Sequence, residues 1–185
     1  GSTMAAFAQG IVLGAFVQGI AVDGRAYGGG WLDWLTPFSV FTGVSVVIGY
    51  AFLGAAYPIL KTDGTLRDRV YQLAQPVFYV FLACVGLVSI FTPMLSPEIA
   101  ARWYSAPTVF WLTPIPIAVG VASFMVWRGL REQSDRIIFP MALSIFVLCF
   151  VGLGVAIFPY VVPRAITVTE AAAPDSSLMF MLVGA

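Results

Sequence analysis

Five stretches of this chain, 4–22, 37–60, 76–95, 108–127 and 137–159, contain no Asp, Glu, Lys or Arg. Each is long enough to cross a bilayer as a helix, which takes about 20 residues. Strands suit them poorly, because the apolar runs are continuous rather than alternating and a barrel strand needs only about 10 residues. All 18 charges lie between the stretches or near their ends, where an ionised group escapes the several kcal/mol cost of the bilayer centre. Only 10% of residues are charged against 60% apolar, whereas soluble domains carry about 25% charge. The expected fold class is all-α, a polytopic transmembrane helix bundle.

The loop charges orient it. Counting Lys and Arg from the first connection onward, Arg25 stands alone, followed by Lys61, Arg67 and Arg69 together. Arg102 is alone again, then come Arg128, Arg131 and Arg136, and finally Arg164. The excess marks the cytoplasmic side. Loops 61–75 and 128–136 are therefore expected in the cytoplasm, with loops 23–36, 96–107 and 160–175 on the outer face. The final "SSLMFMLVGA" reads as the start of a sixth span at 176–185. The chain is expected to be one transmembrane domain, 1–185, and a piece of a longer protein.

The absence of histidine removes Ser-His and Cys-His catalysis and leaves metal chemistry little material. Cys84 and Cys149 sit inside apolar runs without metal-ligand spacing and read as buried free thiols. Zero net charge gives no reason to expect nucleic acid as a partner. The loop carboxylates Asp23, Asp33, Asp63, Asp68, Glu98, Glu132, Asp135, Glu170 and Asp175 read as solvated caps and charge partners.

Three motifs invite chemistry. In "GRAYGGGWLDWLTPF", 24–38, the glycine run lacks the Lys-Ser/Thr of a phosphate loop and is expected to follow a membrane helix where a dinucleotide fingerprint needs a strand. Tyr27, Trp31 and Trp34 suit a membrane boundary, while Thr36 and Pro37 suit a helix cap and first turn. The stretch is expected to be an interfacial re-entry turn. Gly10 and Gly14, with Ala15 and Gly19, form flat strips for close helix approach, and either Gln9 or Gln18 is placed to bond across helices. In "TPIPIAVG", Pro114 and Pro116 are expected to kink the fourth span, with a broken-helix ion site as the lesser alternative.

Two runs carry a resemblance: "AAFAQGIVLGAFVQGIAVDGRAYGGGWLDWLTPFSVFTGVSVVIGYAFLGAAYPILKTDGTLRDR", 5–69, and "FVGLGVAIFPYVVPRAITVTEAAAPDSSLMFMLVG", 150–184. Both resemble subunit II of the cytochrome bd-type quinol oxidases, including the cyanide-insensitive branch. The middle, 76–130, agrees in helix layout with less distinctive sequence. "GWLDWLTPFS", "GYAFLGA" and "AAAPDSSLMFMLVG" are the specific parts.

The resemblance implies a complex in the bacterial inner membrane that oxidises quinol and reduces dioxygen to water, taking protons from the cytoplasm. It implies haem b and haem d in a partner, subunit I, with this subunit a haem-free scaffold that packs on it, touches membrane lipids and is a candidate holder of a structural quinone or lipid. The family's second subunit has eight spans, so this chain would hold the third to seventh and the start of the eighth. Its proposed proton-path acids lie in early spans that are lacking here. No catalytic, cofactor-binding or metal residue is therefore assigned. The alternatives are part of a secondary transporter with a Pro-broken helix, or a non-redox membrane assembly protein.

Overall fold

A computed structural model describes residues 1–24, 26–95, 100–101, 110, 112–162 and 166–184. Arg25, Arg102 and Arg164, the three lone basic residues of the expected outer loops, lie outside them, as do Glu98 and most of loop 96–107. The chain folds as helix α1 (Ser2–Gln18), strands β1 (Val22–Asp23) and β2 (Ala26–Tyr27), and helices α2 (Pro37–Lys61) and α3 (Gly64–Leu95). Then come α4 (Pro114–Glu132), α5 (Asp135–Ile157), β3 (Tyr160–Val162), β4 (Ile166–Thr167), α6 (Val168–Ala171) and α7 (Asp175–Gly184).

Among the described residues, α2, α3 and α5 are long and apolar enough to cross a membrane. The expected helical membrane bundle is thus present, with two small strand pairs added to the all-α expectation. Each is an antiparallel hairpin that follows a helix end. Val22 pairs with Tyr27 and Asp23 with Ala26, turning at Gly24 with φ of 62°, the left-handed region that glycine enters without strain. Tyr160 pairs with Thr167, and Val162 with Ile166.

Three boundaries differ from the sequence reading, each for a local reason. Helix α1 stops at Gln18 rather than running to Val22, because Gly19 takes φ of 89°. Helix α3 begins at Gly64, twelve residues before the expected start at Pro76. The segment ahead of Pro76 is amphipathic and buries Tyr71 and Ala74 against the other helices, so packing carries the helix out past the apolar run. The expected kink at Pro114 and Pro116 falls where the described residues are interrupted, with Phe110 and Leu112 helical and Thr113 in a turn just ahead of the prolines. Helix α4 opens at Pro114, so both prolines lie in its first turn, where the missing N–H groups have no intrahelical acceptor to lose.

Helix α2 is the hub. It packs on α1, α3 and α5, and α4 packs on α5. The core joins Phe52, Ala56 and Ile59 of α2 to Phe78 and Phe81 of α3, Val126 of α4, and Ile138 and Ile145 of α5. A smaller cluster unites Val17 of α1, Phe38 of α2 and Ala156 of α5, with Val88 of α3 alongside. The helices therefore alternate in direction. The α1 C-terminus, α2 N-terminus and α5 C-terminus share one end, and both hairpins leave from it. Turns 62–63 and 133–134 share the other.

Candidate functional site

Polar side chains gather at the two ends of the bundle. At the hairpin end, Thr36 caps α2: it accepts from Ser39 N at 3.0 Å while Ser39 Oγ accepts from Thr36 N at 2.9 Å. This reciprocal capping box satisfies two backbone donors of the opening turn. Ser39 Oγ also donates to Trp34 O at 2.7 Å, and Thr36 Oγ1 donates to Gln18 Oε1. Gln18 is thus the glutamine that bonds across helices, tying the α1 C-terminus to the α2 N-terminus.

The glycine run is filled by its own neighbours. Tyr27 donates its hydroxyl to Gly30 O at 2.8 Å, and Gly30 N donates to Asp33 Oδ2. A Cβ on Gly29 would lie 2.5 Å from the Tyr27 hydroxyl and 2.8 Å from Asp33 Oδ2. An acidic side chain occupies the place where a phosphate would have to sit. Trp34 donates Nε1–H to Trp31 O at 2.7 Å, and the Trp31 side chain is 96% exposed. The turn has the geometry of a boundary anchor.

At the opposite end, Asp135 at the start of α5 accepts from Arg67 Nε at 2.8 Å and from the Tyr71 hydroxyl at 2.7 Å. Arg67 also donates to Gln133 O at 3.2 Å, and its guanidinium lies 5.4 Å from the Tyr71 ring centre. Burial pushes the Asp135 carboxyl up, but hydrogen bonds from Tyr71 and Arg67 and the Arg67 charge outweigh it and hold it below its ordinary value. Burial and the neighbouring carboxylate raise the Tyr71 phenol, and the hydrogen bond to Asp135 raises the Arg67 guanidinium. Arg67 and Asp135 stay ionised, and the Tyr71 phenol stays protonated and donating, across the physiological range. The trio clamps α3, α5 and the α4–α5 turn together and offers no group poised to exchange a proton near pH 7.

The sequence reading placed Asp135 among the caps and charge partners, and it is one. The Arg67 and Tyr71 partnership was not legible, because those residues are 68 and 64 positions away. Elsewhere Glu132 pairs with Arg128 at 2.8 Å. Glu170 accepts from Thr167 N at 2.8 Å, and that bond lowers its carboxyl pKa. Cys84 is buried and Cys149 exposed, so the expectation of two buried thiols holds for the first alone.

The hydroxyls of the buried residues Thr42 and Thr92 bond to their own backbone, while Ser123 Oγ of α4 is buried without a partner among the described residues. Thr42 donates to Phe38 O at 2.9 Å and Thr92 to Val88 O at 2.7 Å, as a water-free interior demands. Among the described residues, no three Cys, Asp or Glu side chains converge as metal ligands. Haem iron fares no better. With no histidine and only six methionines in the chain, the donor set lacks the His partner with which methionine usually ligates haem, and these residues do not fit the group.

The chain matches the family model for cytochrome bd terminal oxidase subunit II over residues 1–185. No curated protein matches it. The chain belongs to that subunit II family. It is a multi-pass membrane protein and a component of a respiratory quinol oxidase, an oxidoreductase complex.

Proposed function

From that membership we propose that the chain is the haem-free scaffold subunit of a cytochrome bd-type complex that oxidises quinol and reduces dioxygen to water. The observation that carries this is the family match across the whole chain, 1–185. The donor chemistry supports the division of labour. Haem b and haem d would be held by subunit I, and the residues described above pack, cap and clamp. In this reading the chain alone has no oxidase activity, and its surface meets subunit I, membrane lipid and any structural quinone.

The architecture proposed with it is one transmembrane domain with five spans and the start of a sixth. Helix α1, at 17 residues, is short for a full crossing but is continued by its hairpin and the Trp31 anchor. Helix α4 carries Arg128, Arg131 and Glu132 at its end, charges that suit a water boundary. The basic end, with turns 62–63 and 133–134, lies in the cytoplasm of a bacterial inner membrane, and the hairpin end lies outside. A Trp31→Cys variant of the intact complex should react with an impermeant maleimide from the outer face. Reaction only after cell lysis would reverse the topology.

The functional reading is tested by separating the subunits of the purified complex and measuring haem on each. The iron should travel entirely with the partner. Haem that remains on this chain would overturn the scaffold assignment.

A further inference from the structure

Helices α2 and α5 run antiparallel and are joined by two ring pairs. Tyr50 meets Phe146 with centres 5.6 Å apart, and Tyr57 meets Phe139 at 5.3 Å in an edge-to-face arrangement. The pairs are separated by seven residues on each helix, so the helices stay in step between them. Gly54 lies on α2 midway between the two tyrosines, and a Cβ built there would meet nothing within 4 Å. Leu143 lies at the matching height on α5 and is 45% exposed. Two aromatic rungs therefore bracket an open, apolar notch on the surface of the bundle.

One turn beyond the lower rung, each helix carries a cation. Lys61 follows Tyr57 by four residues and Arg136 precedes Phe139 by three, so each shares a face with its ring. Both are exposed, and among the described residues neither has an ion-pair partner. The nearby acids do not neutralise them: Asp135 is held by Arg67 and Tyr71, and Asp63 makes no ion pair with Lys61 among the described residues. Two free cations stand at the membrane boundary above a notch that runs into the apolar layer.

We propose that this α2–α5 seam holds one anionic glycerophospholipid, its phosphate against Lys61 and Arg136 and one acyl chain in the notch at Gly54. Charge complementarity selects the occupant. The single phosphate charge of an anionic lipid is free to bridge both cations, whereas the ammonium group of a zwitterionic lipid adds a third positive charge beside them, and a purely apolar protein surface leaves both without a counter-charge. The notch supplies the length: from Lys61 to Tyr50 is eleven residues, or about 16 Å of helix, most of an acyl chain's depth in one leaflet.

The test uses the full complex, delipidated in detergent and titrated with phosphatidylglycerol or phosphatidylcholine, with retained lipid counted by native mass spectrometry. The wild type should keep one phosphatidylglycerol per copy of this chain that the Lys61→Gln, Arg136→Gln double variant loses. Each basic residue should contribute roughly fivefold to the preference for the anionic lipid. Gly54→Leu, which has open space around it, should weaken both lipids and leave their ratio unchanged. An unaltered phosphatidylglycerol count in the double variant would overturn the proposal. So would a Gly54→Cys thiol that stays shielded from a lipid-soluble maleimide after delipidation, since a partner subunit would then cover the seam. The haem bands of the same preparations report on the oxidase assignment separately, so either reading can fail without the other.

Discussion

Helix α2 touches α1 and α5 through opposite kinds of side chain. Against α1 the contact is backbone on backbone: a Cβ on Gly10 would fall 2.5 Å from Gly43 Cα, and one on Gly14 would fall 2.6 Å from Ser39 Cα. Against α5 and α3 the contact is ring on ring, with Tyr50 against Phe146 of α5 at 5.6 Å and Phe52 stacked on Phe81 of α3 at 5.6 Å. Helices in lipid gain little from hydrophobic transfer, because the tails are as apolar as leucine, so association depends on close packing. Glycine achieves it by bringing the axes together, and aromatic rings achieve it by filling a wider gap. The first solution has no slack, and the second has some.

The comparison breaks most sharply at Gly10. Gly10→Leu would drive a side chain into the α2 backbone, and neither partner is a flexible side-chain end that could swing away. It should cost about 3 kcal/mol or more and keep the haem-containing complex from assembling. Gly54→Leu, on the same α2 helix in open space, should stay within about 0.5 kcal/mol of wild type. Equal losses from the two would remove the distinction between the seams.

Phe52→Ala tests the aromatic side. Phe52 is fully buried and touches Phe78 at 5.3 Å as well as Phe81, and its truncation should cost about 3 kcal/mol. The surrounding rings can shift into part of the space, so the complex should still assemble, with a lower melting temperature. Failure to assemble would show the ring packing to be as unforgiving as the glycines.

A smaller effect is expected at the clamp. Tyr71→Phe keeps the ring and removes one hydrogen bond to Asp135, for a loss of about 1 kcal/mol. The Asp135 carboxyl is held below its ordinary value. Its contribution is therefore complete above the usual carboxylate range and is lost as pH falls through its own lowered pKa. Asp135→Asn should lower stability at neutral pH and flatten the acid side of the stability profile. An unchanged acid limb would place the sensitivity in another carboxylate. Smallest of all, Trp31→Ala should alter stability by less than about 0.5 kcal/mol, since its side chain is almost wholly exposed.

What the sequence shows in advance depends on how far apart the interacting residues lie. The Thr36–Pro37 start of α2 is legible because the cap, the proline and Ser39 span only four positions, and the close-packing role of Gly10 and Gly14 follows from their helical spacing. The extension of α3 ahead of Pro76 is not legible from hydropathy. The residues before it are polar on one side, and what holds them helical is Tyr71 and Ala74 packing against distant elements. The hairpins after α1 and α5 are equally hidden, being ladders of two or three residues with no run long enough to alternate. The clamp joins residues on α3 and α5 that only the fold brings together, and its Asp135 reads locally as an ordinary N-terminal acid.

The central claim is that this chain serves a quinol oxidase by packing rather than by chemistry of its own. The most direct measurement is a reduced-minus-oxidised spectrum of the complex purified through a tag on this chain, from wild type and from Gly10→Leu. Wild type should bring down b- and d-type haem bands, and Gly10→Leu should lose them together as assembly fails. A tagged wild-type chain that purifies in good yield with no haem bands would contradict the account.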